Sequence, residues 1–363
     1  MNNARILRII LVFFVLYGPD AYSQTGTLPE GKTGPAKHYW GDIDGFLNRQ
    51  AEVTLDLVRM SLVRFPPAYT EPFERRMALL MIDGVLHDPS APERLAVQKF
   101  FHSRMELVLK GLTENDVEKG AMIWKLYNHG FIVRTSTVTI AFDLVTGRSA
   151  GAEGFPIRDA LVEQIVRHCD ALFVSHRHGD HADVRVAQAF INLGKPVVAP
   201  PEVWAGKPIH KKITHLKRDT LETQELPIQN GERSLEVVLY PGHQGQDIPN
   251  NVPLVFTPEG ISFSQTGDQS NAEDFAWIDE VAANHTVDVL MPNCWTTDIA
   301  RMIRGFDPEL VITGHENELG HSVDHREPFW MTYDLLRNSV APFLLLTWGE
   351  SFHYQGSNSL SSE

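Results

Sequence analysis

Nine consecutive residues, Ser175-His176-Arg177-His178-Gly179-Asp180-His181-Ala182-Asp183, concentrate three imidazoles and two carboxylates between an apolar run and a helical pattern. Ala171 to Val174 has the composition of a buried strand, and Val184 to Leu193, closed by Gly194, has the spacing of a helix. The cluster is therefore a strand-to-helix loop. On extended backbone, residues two apart point the same way, so His176 and His178 can meet one ion, while the turn into the helix re-aims Asp180 and His181. Neutral imidazole and carboxylate oxygen are the ligands that a borderline-soft divalent ion such as zinc prefers. Chance gives His-x-His-x-Asp-His in about one such chain in a thousand.

Through His176, His178, Asp180 and His181 the chain resembles the metallo-β-lactamase superfamily. The resemblance covers roughly Gly120 to the C-terminus and implies further ligands at strand ends. Three candidates follow strand-like runs in the family's order: His243 after Leu235 to Tyr240, Asp268 after Ile261 to Ser264, and His315 after Leu310 to Ile312. By that resemblance, His176, His178 and His243 hold one metal, Asp180, His181 and His315 the second, and Asp268 bridges them. The implied fold is α/β, a four-layer αββα sandwich with the metals at one edge between two sheets, here carrying an N-terminal helical extension. The implied chemistry is hydrolysis by a hydroxide shared between two divalent ions, zinc first, with manganese or iron as alternatives. Asp180 can orient the nucleophile or take a proton as well as bind metal, and His321 is a candidate proton donor or substrate-orienting group, or else a structural residue. Redox relatives usually carry a carboxylate where this chain has His178, which favours hydrolysis.

The elements around these positions are legible in outline. Leu47, Ala51, Leu55, Val58 and Leu62 form one helical stripe that Pro66-Pro67 ends. A second helix opens at Pro72 and carries Phe73, Met77, Met81 and Val85, and a third opens at Ser90-Ala91-Pro92-Glu93 and carries Val97, Phe101, Met105 and Val108. Their stripes read as packing surfaces rather than a membrane face. Strands are expected at Met122 to Leu126, Phe131 to Arg134 and Val138 to Phe142. Asn128-His129-Gly130 reverses the Gly-His that several branches carry there, and His129 reads either as a residue behind the ligands or as a structural histidine. Asp143, ending the third strand, is expected to fix the loop beneath the metals. A helix at Pro156 to His168, a strand at Pro196 to Ala199 and a closing helix at Arg326 to Arg337 continue the mixed pattern. His210 and His215 read as surface residues.

The sequence divides into three expected parts: an export signal at 1–23, a linker and helical extension at 24–119, and a catalytic domain at 120–363. Arg5 and Arg8 precede the apolar run Ile9 to Tyr17, and Ala21-Tyr22-Ser23 has small residues where a signal peptidase reads. Nine apolar residues are too few for a span of about 20. The competing reading is an uncleaved interfacial anchor. The processed protein is expected in the periplasm or outside the cell, with no stable membrane insertion. Losing Arg5, Arg8 and Asp20 with the signal moves the net charge from −14 to −15. That acidity argues against a nucleic-acid partner, because Lys and Arg on phosphate supply most of such affinity. A small-molecule ester, lactone, amide or phosphodiester is the expected substrate. The alternative function is a non-catalytic, metal-stabilised binding module of the same fold, and a weaker one is a nuclease. Cys169 precedes a strand and Cys294 follows one; if those strands are parallel, a five-residue strand separates the thiols by about 17 Å, beyond the roughly 7 Å bridging limit, so no disulfide is expected. Cys294 lies on the site side and is a minor candidate ligand.

Overall fold

The computed structural model describes residues 39–356, so the expected signal at 1–23 and the lead-in at 24–37 lie outside the described residues. Three helices come first: α1 (Ile43–Arg64), α2 (Phe73–Leu86) and α3 (Leu95–Glu114). Strands β1 (Ala121–Lys125), β2 (Phe131–Arg134) and β3 (Thr139–Phe142) follow, then α4 (Asp159–His168), β4 (Ala171–Phe173), α5 (Val184–Asn192) and β5 (Val197–Val198). The second half runs β6 (Asp219–Ile228), β7 (Arg233–Gln244), β8 (Ile248–Phe256), β9 (Ser262–Gln265), α6 (Phe275–Ile278), α7 (Val281–Asn284), β10 (Val289–Met291), α8 (Ile299–Phe306), β11 (Leu310–Ile312), α9 (Phe329–Leu336), β12 (Phe343–Leu344) and β13 (Ser351–Tyr354).

Two mixed sheets result, in the orders β13-β1-β2-β3-β4-β5 and β12-β11-β10-β9-β8-β7-β6. Strand alternation builds the layers. Ile123, Phe131, Ile140 and Phe173 of the first sheet share one buried cluster with Leu235, Val255, Phe263 and Val289 of the second. Their neighbours facing the other way, among them Ile132, Ala141, Leu172, Leu254 and Leu290, pack in a second cluster with the helices. This is the αββα order that the resemblance implies.

The parallel portions position the loops that matter. β3, β4 and β5 run parallel in one sheet, as do β9, β10, β11 and β12 in the other. Their carboxyl ends therefore emerge on a common edge in each sheet, where irregular backbone can present side chains. The two edges are joined there: Asn251 N–H donates to Ser175 O at 2.7 Å, and Gln265 Nε2 donates to the Asp143 carboxylate at 2.8 Å.

From Leu47 onward the described residues form one compact unit, which contains α2, α3 and α1 from Leu47 on. Leu55, Val58, Phe101 and Met105 share a cluster with Trp124, Tyr127 and Trp348. Phe101 stacks on Phe155 with centroids 4.5 Å apart and meets Tyr127 and Trp348 at 5.4 Å each. The short described stretch before that unit, 39–46, carries its own contact, the Tyr39 and Phe46 rings meeting edge to face at 6.0 Å.

Two local expectations change. The buried face of α2 is Arg75, Ala78, Leu79, Ile82, Asp83 and Leu86, not the stripe through Phe73 and Met77, which are 70% and 42% exposed. Arg75 and Asp83 are paired inside the fold, so their charge disguised the inward face. At the third helix, Ala91–Glu93 forms a separate 3-10 turn, Arg94 is extended, and α3 begins at Leu95 without a side-chain cap from Ser90. No described helix is long and apolar enough to cross a membrane. Cys169 and Cys294 are both free and buried.

Candidate metal centre

Each candidate ligand sits where a strand ends. His176 and His178 lie in the loop after β4; Asp180 and His181 lead from it toward α5, which Asp183 caps by accepting from Arg185 N. His243 lies at the end of β7, Asp268 follows β9, and His315 follows β11. These loops bring two groups of ligand atoms together, each within 4.8 Å: His176, His178 and Asp268, and Asp180, His181, Asp268 and His315. Asp268 belongs to both. Its Oδ1 lies 3.1 Å from His181 Nε2 and 3.4 Å from His315 Nε2, and its Oδ2 lies 3.6 Å from His176 Nε2. Asp180 Oδ2 lies 3.2 Å from His181 Nε2 and 3.6 Å from His315 Nε2. His243 belongs to neither group.

On three of these histidines the nitrogen facing away from the centre is tied down. His181 Nδ1 donates to Asp143 Oδ2 at 2.8 Å, His243 Nδ1 to Asp274 Oδ1 at 2.8 Å, and His176 Nδ1 lies 3.0 Å from Ser175 Oγ. Such bonds fix the ring and, when it is neutral, leave Nε2 as the lone-pair nitrogen, the usual support of a metal-binding histidine. Asp143 also accepts from Ser175 N and Ser175 Oγ, at 2.8 and 2.7 Å, so one carboxylate holds both the loop and the ring. It stands at φ 41°, left-handed backbone in which an aspartate is tolerated better than most residues.

The donor set fits divalent cations on two counts. His176 Nε2 is buried without a hydrogen-bond partner, although it is a strong polar atom. Three carboxylates, the buried Asp143 and Asp268 and the part-buried Asp180, also surround His181, a charge excess that protonated imidazoles otherwise neutralise. Burial disfavours charge on the His181 ring, yet Asp268, Asp180 and Asp143 outweigh it and hold the ring protonated well above the ordinary histidine value. His315 is pushed up to about 10 in the same way, burial opposed by Asp268 and Asp180. Burial alone would raise Asp180 and Asp268; the facing histidines, His181 first, take both well below the carboxylate range. His176 goes the other way, down to about 3, chiefly through burial, and is a neutral imidazole at any physiological pH.

The remaining sequence candidates spread around this centre. His321 is exposed at the rim; its ring stacks on His315 with centroids 5.6 Å apart, and its Nδ1 lies 3.2 Å from His325 O. His129 is fully buried behind the ligands, 6.2 Å from the His181 ring, with Nε2 on Met291 O at 3.1 Å. Trp295 stands edge-on to His315 at 5.5 Å, whereas Trp204 donates to Ala182 O at 3.3 Å and Trp330 is 57% exposed. His210 and His215 pair with each other at 5.1 Å and bond backbone carbonyls of Pro201 and Ala199.

Several contributors escaped the sequence reading. Asn128 donates to Asp180 Oδ2 at 2.9 Å, Gln244 Nε2 to Asp268 Oδ2 at 3.1 Å, and Asn250 Oδ1 accepts from Asp268 N at 3.0 Å. Asp274 holds both the ring and the backbone N–H of His243. Only Asn128 had a local signal, its place in the turn with His129 and Gly130. The others are polar residues on or beyond strands, with no distinctive spacing.

No family model matches the sequence, and no curated protein matches it. Solved structures do show likeness. Igni18, described as a metallo hydrolase from the archaeon Ignicoccus hospitalis, is 17% identical with a TM-score of 0.49, covering 64% of this chain and 99% of its own. CmlA, described as a diiron β-hydroxylase from Streptomyces venezuelae, is 13% identical with a TM-score of 0.47, covering 66% of this chain and 55% of its own. An isothiocyanate hydrolase from Delia radicum gut bacteria is 13% identical with a TM-score of 0.45, covering 65% of this chain and 99% of its own.

Proposed function

We propose that the protein is a metal-dependent hydrolase of the metallo-β-lactamase superfamily, binding two divalent ions, zinc first, and acting on an ester, lactone, amide or phosphodiester bond of a small molecule. The observation that carries this reading is the pair of ligand groups sharing Asp268, with His176 Nε2 buried and without a hydrogen-bond partner. His176 and His178 would hold one ion, Asp180, His181 and His315 the other, and Asp268 both. His243, with its Nε2 left free by Asp274, would complete the first set. When bound, the ions supply Lewis acidity that lowers the pKa of water and polarises the scissile bond.

The chain's own groups do the rest. Asp143, Ser175 and Asp274 orient imidazoles, and Asn128 and Gln244 orient the carboxylates of Asp180 and Asp268. Asp180 is the carboxylate suited to accept a proton from the attacking water. His321, exposed at the rim and stacked on His315, is suited to donate one to the leaving group or to orient the substrate, and Trp295 offers the apolar wall beside it. Export belongs to this reading as well, resting on the basic and apolar pattern of 1–23.

A panel of lactone, amide and phosphodiester substrates tests the activity. The zinc-loaded protein should turn over at least one class, chelation should abolish that turnover, and His321→Ala should lower kcat by about 10²- to 10⁴-fold if His321 is the acid. A loaded, folded protein inert on every class favours the non-catalytic binding module instead. Mass measurement of the protein recovered outside the cytoplasm should give a chain starting at Gln24; an unprocessed N-terminus would contradict the signal reading.

A further inference from the structure

The chemistry above uses loops at strand ends and leaves α2 unexplained, although the buried face of that helix carries two charged side chains. Arg75 is accounted for by Glu350, which it meets at 2.6 and 2.7 Å. Asp83 is different. It is 6% exposed, and its carboxylate accepts three hydrogen bonds, all from the segment that follows His315: from Asn317 Nδ2 at 3.0 Å, Phe329 N at 2.9 Å and Trp330 N at 3.1 Å. Burying a carboxylate is costly unless it is fully hydrogen-bonded, so these three donors are what keep it there.

Arg326 completes the grip from the opposite side. Its Nη1 donates to the carbonyls of Leu86 at 2.8 Å and Asp88 at 3.0 Å, at the end of α2 and just beyond it. Its Nη2 donates to Leu319 O at 3.2 Å and its Nε to His321 O at 2.8 Å. His87, the residue closing α2, lies with Nε2 2.7 Å from Arg326 O. The last turn of the helix thus holds residues 317–330 at several points.

That segment has reason to be held. His315 stands at φ 77° and Asn317 at φ 57°, left-handed conformations that non-glycine residues keep only where the surroundings over-determine them. Their backbone anchors are His315 N to Asn128 O at 3.2 Å and Asn317 N to Glu327 O at 2.9 Å. Asp83 fixes the Asn317 side chain and thereby the turn that aims His315 toward Asp180 and Asp268.

We propose that the last turn of α2, through Asp83 and Arg326, is a positioning element for the His315–His321 segment and so for the second group of metal ligands. The helical region before the sandwich would then be part of the metal centre's construction. This inference rests on the metal reading above. Neither residue touches a ligand atom; both act through the segment between His315 and Trp330.

Zinc titration of the metal-free, full-length protein tests it, with parent, Asp83→Asn, Arg326→Lys and Leu79→Ala compared while folded. Leu79, fully buried on the same helix, loosens α2 without removing any of these hydrogen bonds. The parent should take up two zinc ions. In Asp83→Asn and Arg326→Lys the ion on His176, His178 and Asp268 should bind as in the parent, and the second should bind about 10- to 100-fold more weakly. Leu79→Ala should match the parent at both. Parent affinity for both ions in the two polar variants would overturn the positioning role, as would an equal loss at both ions or the same loss in Leu79→Ala. If Asp83→Asn does not fold, Arg326→Lys decides by the same criteria. A parent that takes up no zinc would overturn the metal reading, and the positioning role with it, before any variant is compared.

Discussion

At the scale of single residues, protons and metal ions compete for the same atoms. His181 is surrounded by Asp268, Asp180 and Asp143, and His315 faces Asp268 and Asp180, so without metal both rings hold a proton above the ordinary histidine value, His315 up to about 10. As groups raised in the folded state, they contribute stability that is fully present below the ordinary histidine value near 6.5. That contribution fades as pH rises, for His315 through about 10. A divalent ion needs the neutral rings, so binding must expel those protons. Zinc added to the metal-free protein at pH 7.5 should release about two protons per chain when both ions bind, read by calorimetry in buffers of differing ionisation heat. A heat independent of buffer would contradict this account of the two rings. His176, held neutral by burial, contributes no proton.

At the scale of elements, the helices before the sandwich share its core. Phe101 lies against Phe155, Tyr127 and Trp348, and Arg104 donates to Trp348 O at 2.6 Å. A chain begun at Gly120 should therefore lose its cooperative melting and aggregate, because it uncovers Trp124, Tyr127 and Trp348 together. Retained sharp melting and zinc uptake in that truncation would show the helices to be dispensable. How far the sequence discloses such elements depends on which residues face inward. β4, α5 and β11 are plain because apolar runs or a clean helical stripe mark them. α2 is misphased because Arg75 and Asp83 occupy its buried face, satisfied by Glu350, Asn317 and two backbone amides from far along the chain. The loop His176 to His181 is legible from its spacing alone, and Asp268 and His315, which the fold brings beside it, through resemblance, whereas His243, expected with His176 and His178, falls in neither group. Asp274, Asn250 and Gln265 are not, since a lone polar residue gains meaning only when long-range pairing brings it to a candidate ligand or, as for Gln265, to Asp143 behind one.

At the scale of the whole molecule, two mixed sheets deliver loops from four separate stretches of chain to one edge, where Asp268 stands in both ligand groups. A net charge of −14 disfavours polyanions over most of a surface, and positive potential would arise only at bound ions of the kind proposed. The central claim is that this edge holds two metals, and elemental analysis of the purified protein from Gln24 onward tests it most directly, with a His178→Ala, Asp268→Ala double variant alongside. The account predicts about two equivalents of divalent metal per chain in the parent and a sharp fall in the variant. A well-folded parent that takes up no zinc, manganese or iron would contradict it.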